Sequence, residues 1–397
     1  MKVKIKGFLK DITGSMRAEK RRKTAIKNAS ASPEYSDPIR EVADELHPVY
    51  NRLIVTKVEE VSPTAKRFTF ENEDGSKLPP FEAGQCLEID VKIGETRTTR
   101  AYSICSAPYE ARLEEHPHVA ITVRNGKEDG FVANYLYANV KEGEVYTAHL
   151  PFGHFYIEPL RDSKKILGLA GGSGITPFLA MAKEIEHGTL DADLTVLYGS
   201  VSSKDIILEK QLAEVKSPRV KFVHVISGEP DYPGEKGYLS AEIIKKYAGE
   251  GDVTYFVCGP LPMYLFLEKE LAKLKVKPRR IRMETFGAPR DITKAEGYPK
   301  GAETKVHKLT VVRGIDKTVI EAKASEPLLV AMERAGILVK SGCRSGTCGI
   351  CRVKLVSGEV FVPKEGDGRR YADKEYGYVH SCSTYPLSDC EIITNIL

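Results

Sequence analysis

Four cysteines toward the C-terminal end of this 397-residue chain carry its most specific chemistry. Cys343, Cys348 and Cys351 follow a C-x4-C-x2-C spacing, and Cys382 comes after thirty intervening residues. That is the plant-type spacing of a [2Fe–2S] cluster held by four thiolates. Thiolates and bridging sulfides are negative and accept hydrogen bonds. Ser341, Gly342, Ser345, Gly346 and Gly349 let backbone N–H groups come close and point inward. A structural zinc ion would also use four cysteines, but it favours two short knuckles of similar spacing. Three ligands within nine residues and a remote fourth favour the cluster. Visible absorption and a redox couple would tell the two apart. A one-electron carrier needs a source, so the other residues are read for what could supply it.

Three further stretches have the residue types for redox cofactors. In Arg100-Ala101-Tyr102-Ser103 a cation, a flat ring and a hydroxyl could meet a flavin's pyrophosphate, its ring face and its N5. Strand alternation puts Arg100 and Tyr102 on one face; by itself the tetrapeptide also reads as a plain surface strand. Gly171-Gly172-Ser173-Gly174-Ile175-Thr176-Pro177 lies between a buried-type strand and a helix, where a glycine turn brings pyrophosphate to a helix N-terminus. It is not G-x-G-x-x-G, so the dinucleotide fold is not the usual one. Cys258-Gly259-Pro260 ends a second buried strand, at the same sheet edge. Cys258 reads either as a thiol beside a nicotinamide or as a small buried residue.

The elements that must position these groups fall into blocks. Residues 1–47 are basic, from Lys2 to Lys27, and read as a solvated tail or short helix, with a further short helix at 39–46. Residues 48–160 hold short strands at 50–58, 65–71, 86–91 and 118–124, the pattern of a small antiparallel barrel. Residues 161–286 alternate strands and helices, the pattern of a parallel sheet covered on both faces. Residues 287–305 read as a Gly/Pro-rich linker. Residues 306–397 form a small domain with a hairpin about Gly314 and a helix from Pro327 to Ala335. The fold class is therefore multidomain, α/β and β. A net charge of +4 gives no argument for nucleic acid. Cys86, Cys105, Cys258 and Cys390 form no disulfide-like framework, which fits a reducing, cytoplasmic setting. No apolar run approaches a membrane span, and Gly7-Phe8-Leu9 is too short for a secretion signal.

The order of these motifs resembles the ferredoxin–NADP reductase superfamily, in particular reductase components of oxygenases with a C-terminal plant-type ferredoxin domain. The resemblance covers about residues 48–397. It rests on R-A-Y-S at 100–103, G-x-x-A-N-Y-L at 130–136, P-F-G-H-F at 151–155, G-G-S-G-I-T-P at 171–177, C-G-P at 258–260, E-T-F-G at 284–287 and the four cysteines. It implies a flavin-binding barrel, a nucleotide-binding α/β domain and a β-grasp ferredoxin domain. It implies that Arg100 meets the flavin phosphates, with Ala101 beside it in the cofactor site, that Tyr102 lies on the ring, and that Ser103 bonds near N5. Gly130, Val132, Ala133 and Asn134 would form a second phosphate turn; the family commonly has Ser or Thr where Ala133 stands, so a hydroxyl contact is lost. Gly172, Ser173, Gly174, Ile175 and Thr176 would hold the dinucleotide. Cys258, Gly259 and Pro260 would sit by the nicotinamide, and Glu284 and Phe286 by the flavin. Tyr102, Ser103, Cys258 and Glu284 would be the catalytic set. FAD is favoured over FMN. NADH is favoured over NADPH, because Val201 holds a frequent arginine position, although Lys204 is close.

The expected activity is a relay: NADH gives a hydride to FAD, and the cluster passes single electrons to a partner protein such as an oxygenase. Docking of the last domain on the barrel is expected to be transient, with the surface around the cluster, Arg344 included, recognising the partner. Two rivals stand beside this reading. A self-contained flavoenzyme reducing a small molecule would turn over without a partner. A redox sensor using the basic arm would turn over poorly with every acceptor.

Overall fold

The computed structural model describes residues 7–29, 37–39, 42–43, 48, 50–126, 130–284, 287, 291–364 and 367–394. The chain divides into two compact units, Met1–Glu45 and Leu46–Leu397. The first holds α1, Phe8–Lys27, whose residues 11–27 are all exposed. A 20-residue helix replaces the expected tail or short helix. The physical reason is a proline-free run of good helix formers, with Asp11 in the first turn and Lys27 in the last, each suited to the dipole there. Glu19 and Lys23 add an i,i+4 pair at 2.7 Å. The short helix expected at 39–46 falls largely outside the described residues.

The second unit is built on three sheets. In the first, β1 (Asn51–Ser62), β2 (Ala65–Asn72), β3 (Cys86–Ile93), β4 (Thr96–Ser103), β5 (Val119–Arg124) and β6 (Val145–Phe152) run in the order β4-β3-β6-β1-β2-β5. Every pairing is antiparallel. A bridge from Ile104 to Ile121 joins the two edges into a barrel. Phe68, Phe70, Leu87, Ile89 and Ile121 fill it. α2, Phe131–Asn139, stands where the sequence was read as a turn; Val132 and Leu136, one helical turn apart, bury against the barrel core. β1 overruns its expected end because two register shifts, at Val55/Lys57 and Glu60/Ser62, carry it on past the polar stretch.

In the second sheet, β7 (Lys165–Gly171), β8 (Asp193–Ser200), β9 (Val220–Ile226), β10 (Glu235–Lys236), β11 (Val253–Cys258) and β12 (Ile281–Glu284) are all parallel, in the order β10-β9-β8-β7-β11-β12. The order reverses between β7 and β11, which opens a crevice at their carboxyl ends. Helices α3 (Thr176–His187), α4 (Glu209–Glu214), α5 (Ala241–Ala248) and α6 (Leu261–Lys273) connect the strands. Two hydrophobic clusters result, one containing Phe178 and Leu179 of α3, the other Ile244 of α5 and Leu267 of α6. The helix expected over 205–215 is α4 alone, preceded by a 3-10 turn at Ser203–Asp205.

The third sheet, β14-β13-β19-β15-β17, is mixed. It holds β13 (Val306–Arg313), β14 (Asp316–Lys323), β15 (Arg352–Ser357), β17 (Tyr378–His380) and β19 (Cys390–Ile393), beside a small pair, β16 (Val360–Phe361) and β18 (Tyr385–Pro386). Leu328, Ala331 and Met332 of α7 (Leu328–Arg334) share a core with Leu309, Val353 and Ile392 of the sheet, a grasp arrangement. A short helix, α8 (Tyr371–Glu375), precedes β17. The described residues 291–305 pack down: Ile292, Tyr298 and Ala302 bury against Tyr385, and Tyr298 donates to the carbonyl of Ala324 at 3.0 Å.

Candidate functional site

The glycine turn between β7 and α3 is a 3-10 turn, Gly172–Ile175. Tyr198 donates to the Gly172 carbonyl at 3.0 Å, and the Thr176 hydroxyl to that of Ser173 at 2.9 Å. Gly174 is pressed on the neighbouring turn: a Cβ there would lie 2.1 Å from the Cys258 carbonyl oxygen and 2.8 Å from the Gly259 nitrogen. The two glycine turns expected to share a crevice therefore touch. Arg124, the last residue of β5, was missed by sequence reasoning; its Nη1 lies 2.9 Å from where a Gly172 Cβ would be. Asp205 at 3.0 Å and the Thr64 hydroxyl at 3.2 Å hold that guanidinium over the turn. The available signal was a lone arginine closing an apolar strand.

Register places Cys258 beside Glu284 on β12 and beside Ala170 on β7. The Glu284 carboxyl points back to the barrel. It accepts from the Cys86 thiol at one oxygen and from the Ser103 hydroxyl at the other, both at 3.5 Å. Gly153, leaving β6, lies beside it as well. Tyr264 of α6 donates to the Glu284 carbonyl and accepts from the Gly259 N–H at 3.2 Å, tying that turn to β12. Burial raises the Glu284 carboxyl to about 8, against the pull of the Cys86 and Ser103 hydrogen bonds. Burial, and then the charge of Glu284, push the Cys258 thiol well above its usual range. A neutral carboxylic acid next to a hydroxyl can hold or pass on a proton at neutral pH. Ser103, Cys258 and Glu284 are thus brought together, with Cys86 as a further member that sequence reasoning did not assign.

Tyr102 packs against the barrel core, on the face of β4 opposite Ser103. Burial lifts its phenol to about 12. Arg100 donates through Nη1 to the Thr98 hydroxyl and to the Thr99 carbonyl. Burial, then the like charge of Arg344, bring it down to about 10. Ala101 pairs with Glu88 of β3. The Asn134 side chain accepts from Gly126 N at 2.7 Å and so ties the residue after β5 and its neighbour to α2, which follows Gly130. Val132 and Ala133 lie in the first turn of α2, where N–H groups lack helical partners and favour an anion. The missing hydroxyl at Ala133 leaves those donors in place. Phe286 lies outside the described residues.

The four cysteines pair two by two, Cys343 with Cys348 and Cys351 with Cys382. Among the described residues, no three cysteine, histidine or carboxylate side chains converge as a single zinc ion would need. Four such thiols would suit a two-iron cluster held by cysteines alone. Hydrogen bonds from the Cys348 thiol, and from Ser345 and Thr347, hold the Cys343 sulfur well below the usual thiol range. Gly342 lies close to the ligands: a Cβ there would be 3.4 Å from the Cys348 sulfur and 2.7 Å from the Cδ1 of Ile350, the end of a side chain that can turn away. Cys343, Cys351 and Cys382 are buried and Cys348 is exposed. Arg344, expected on the recognition surface, is instead buried and turned to the barrel. The reason is its partners: Glu333, the Thr98 hydroxyl at 2.9 Å and the Thr99 carbonyl at 3.1 Å.

Residues 52–157 match the oxidoreductase FAD-binding domain family, 169–269 the oxidoreductase NAD-binding domain family, and 312–387 the 2Fe-2S iron-sulfur cluster binding domain family. The glycine betaine monooxygenase reductase subunit of Chromohalobacter salexigens is 28% identical over 79% of this chain and 87% of its own length. The NADH oxidoreductase HCR of Escherichia coli is 29% identical over 78% of this chain and 88% of its own. The solved structure of phthalate dioxygenase reductase aligns over 87% of this chain and 98% of its own, with a TM-score of 0.63 at 23% identity. With all three domains present in the expected order, the chain is an iron–sulfur flavoprotein reductase built from the FAD-binding, NAD-binding and 2Fe-2S domain families, and it is similar to the reductase subunits of oxygenase systems.

Proposed function

We propose that this chain is the NADH-dependent reductase component of an oxygenase system. The observation that carries this reading is a convergence: strand ends of the barrel, two strand ends of the nucleotide sheet and the cysteine loop meet around Glu284. Ser103 and Cys86 bond its carboxyl, Cys258 is its register neighbour, and Gly287, three residues on, donates to the Cys343 carbonyl at 2.9 Å. When bound, FAD and the cluster supply the conversion of a two-electron hydride donor into a one-electron output. Gly172 to Thr176 and Arg124 hold the dinucleotide phosphates, and Cys258, Gly259 and Pro260 border the nicotinamide. Both hydrogens of Arg100 Nη1 are used within β4, which leaves Nε and Nη2 for a flavin phosphate. The first turn of α2 takes a second phosphate charge, and Tyr102 lies along the flavin. Protonated Glu284 and Ser103 hold a proton at the reacting edge. The working domain limits are 48–160, 161–286 and 306–397. The cytoplasm is the compartment that fits, a reading supported by eight cysteines without a disulfide.

Anaerobic titration of the purified protein with NADH is the test. Flavin and cluster absorption should both bleach. A flavin that bleaches beside a cluster that stays oxidised would sink the relay.

Glu229 supports NADH over NADPH. Its carboxylate accepts from the Ser202 hydroxyl at 2.7 Å, the Ser203 N–H at 2.8 Å and the Ser203 hydroxyl at 2.7 Å. These bonds, Ser202 first, hold it below the usual carboxylate range, so it is anionic at neutral pH. It sits past the carboxyl ends of β8 and β9, where the ribose of the cofactor's adenosine half is expected. A fixed negative charge there accepts from a 2′-hydroxyl and repels a 2′-phosphate. Glu229→Ala should move the kcat/KM ratio of NADPH to NADH toward NADPH by about tenfold, the worth of one such charge. Steady-state rates with the two cofactors measure it, and an unmoved ratio removes Glu229 from the assignment.

A further inference from the structure

The cluster loop is held on the barrel by a closed set of buried polar groups. Arg344 has a left-handed backbone, φ 56, unusual for a residue with a side chain. That conformation turns its guanidinium inward. Nη1 donates to Glu333 of α7 at 3.1 Å, Nη2 donates to the Thr98 hydroxyl at 2.9 Å, and Nε donates to the Thr99 carbonyl at 3.1 Å. The Thr98 hydroxyl donates to Glu333 at 2.8 Å and accepts from Arg344 and Arg100, which uses all its capacity. The Thr99 hydroxyl donates to Glu88 at 2.6 Å, so the Ser341 hydroxyl, at 2.9 Å, is the donor to Thr99. Thr98, Thr99, Glu333, Ser341 and Arg344 are all buried. Ser341 and Arg344 flank the Gly342–Cys343 step, so the first cluster ligand is fixed from both sides.

We propose that Thr98 and Thr99 are positioning residues for electron transfer: their hydroxyls latch the cluster domain onto the flavin barrel through Arg344, Glu333 and Ser341, in a docked rather than transient arrangement. The latch rests on the reading of this chain as a flavin-to-cluster relay. β4 carries it four residues before Tyr102 and Ser103, roughly 13 Å along the strand. One rigid strand thereby sets the distance from the flavin-facing residues to the Cys343 loop. Every partner of the two hydroxyls except Glu88 and Arg100 belongs to the cluster domain. Removing the hydroxyls leaves a buried carboxylate and a guanidinium short of bonds, and that deficit is relieved by letting the domain come away into water.

The experiment compares the full-length holoprotein with Thr98→Val/Thr99→Val and with Thr98→Ser/Thr99→Ser. Valine keeps the β-branched shape and serine keeps the hydroxyl. Amide hydrogen exchange is read at residues 341–345, and anaerobic stopped-flow absorbance follows the flavin and the cluster after mixing with NADH. The valine pair should raise exchange at 341–345 at least tenfold while the cores of the barrel and the third sheet keep their protection. Cluster bleaching should slow at least tenfold, with flavin bleaching changed less than twofold. The serine pair should restore both. Unchanged exchange in the valine pair, or unchanged cluster bleaching despite raised exchange, would overturn the assignment. Failure of the relay itself is distinguishable: in that case NADH leaves the cluster of the unmodified protein oxidised, while the exchange measurement still judges the latch.

Discussion

Cys348→Ala is expected to abolish delivery of electrons to a protein acceptor while leaving NADH-driven reduction of ferricyanide within twofold of the parent, in keeping with two separable stages. Cys348 is the exposed member of the four, so truncation leaves no cavity in the core. What it removes is one of the four thiolates that would hold the cluster. The cluster's visible absorption should be lost and acceptor-protein reduction should fall on the order of 100-fold or more, as befits loss of a ligand and not of an outer hydrogen bond. The flavin and nucleotide residues lie on other elements and keep their geometry. Absorption spectra, with cytochrome c and ferricyanide assayed side by side, measure it. Loss of both activities in a folded variant would give the loop another role. The same asymmetry separates entry from exit. Cys343 faces Gly287 and the barrel, whereas Thr347, Cys348 and Ile350 are exposed. That outer edge is the one expected to meet a partner, since the side to which Arg344 turns is buried.

What the sequence revealed follows from where its signals are local. Strands β7 and β11 announced themselves because a strand buried on both faces is written as a continuous apolar run. The cysteine loop was legible because its ligands are specified by spacing within nine residues. The polar edges were not. β12 has only four residues, two of them Arg282 and Glu284, and it exists because β11 offers it a ladder and Asp162 pairs with the buried arginine. α2 was hidden because its nine residues include aromatic and asparagine positions, and only contact with the barrel core makes Val132 and Leu136 a buried stripe. Ser103, Cys258 and Glu284, named from residue type and motif order, lie together in the structure. Cys86 and the burial of Arg344 were invisible and Arg124 left only a faint signal, since each depends on a partner 60 to 246 positions away or on a backbone turn that spacing does not encode. Arg344 was misplaced for a simple reason: a charged residue beside a metal ligand reads as surface until a buried carboxylate, Glu333, is found opposite it.

Gly174→Ala should separate nucleotide use from everything downstream. A methyl at that position would lie 2.1 Å from the Cys258 carbonyl oxygen and 2.4 Å from its carbon, and both contacts are backbone. No side chain can rotate away, so one of the two turns must shift by roughly 1 Å, at an overpacking cost of about 1–3 kcal/mol. The unit spreads that cost over two large clusters around the parallel sheet, and the fold should survive it. Function should not be so tolerant. The shift changes the spacing between the glycine turn and the Cys258–Gly259–Pro260 turn, which under the proposed function together set how the nicotinamide meets Ser103 and Glu284. A displacement of that size at a reacting pair costs on the order of 100-fold. The expected result is a loss of about that size in the rate of flavin bleaching by NADH, with flavin and cluster spectra unaltered. Dithionite, which bypasses the nucleotide, should still reduce both cofactors at the parent's rate. A variant that takes hydride normally would mean that the contact between the two turns is packing alone, and that the nicotinamide is placed by groups other than Cys258 and its neighbours.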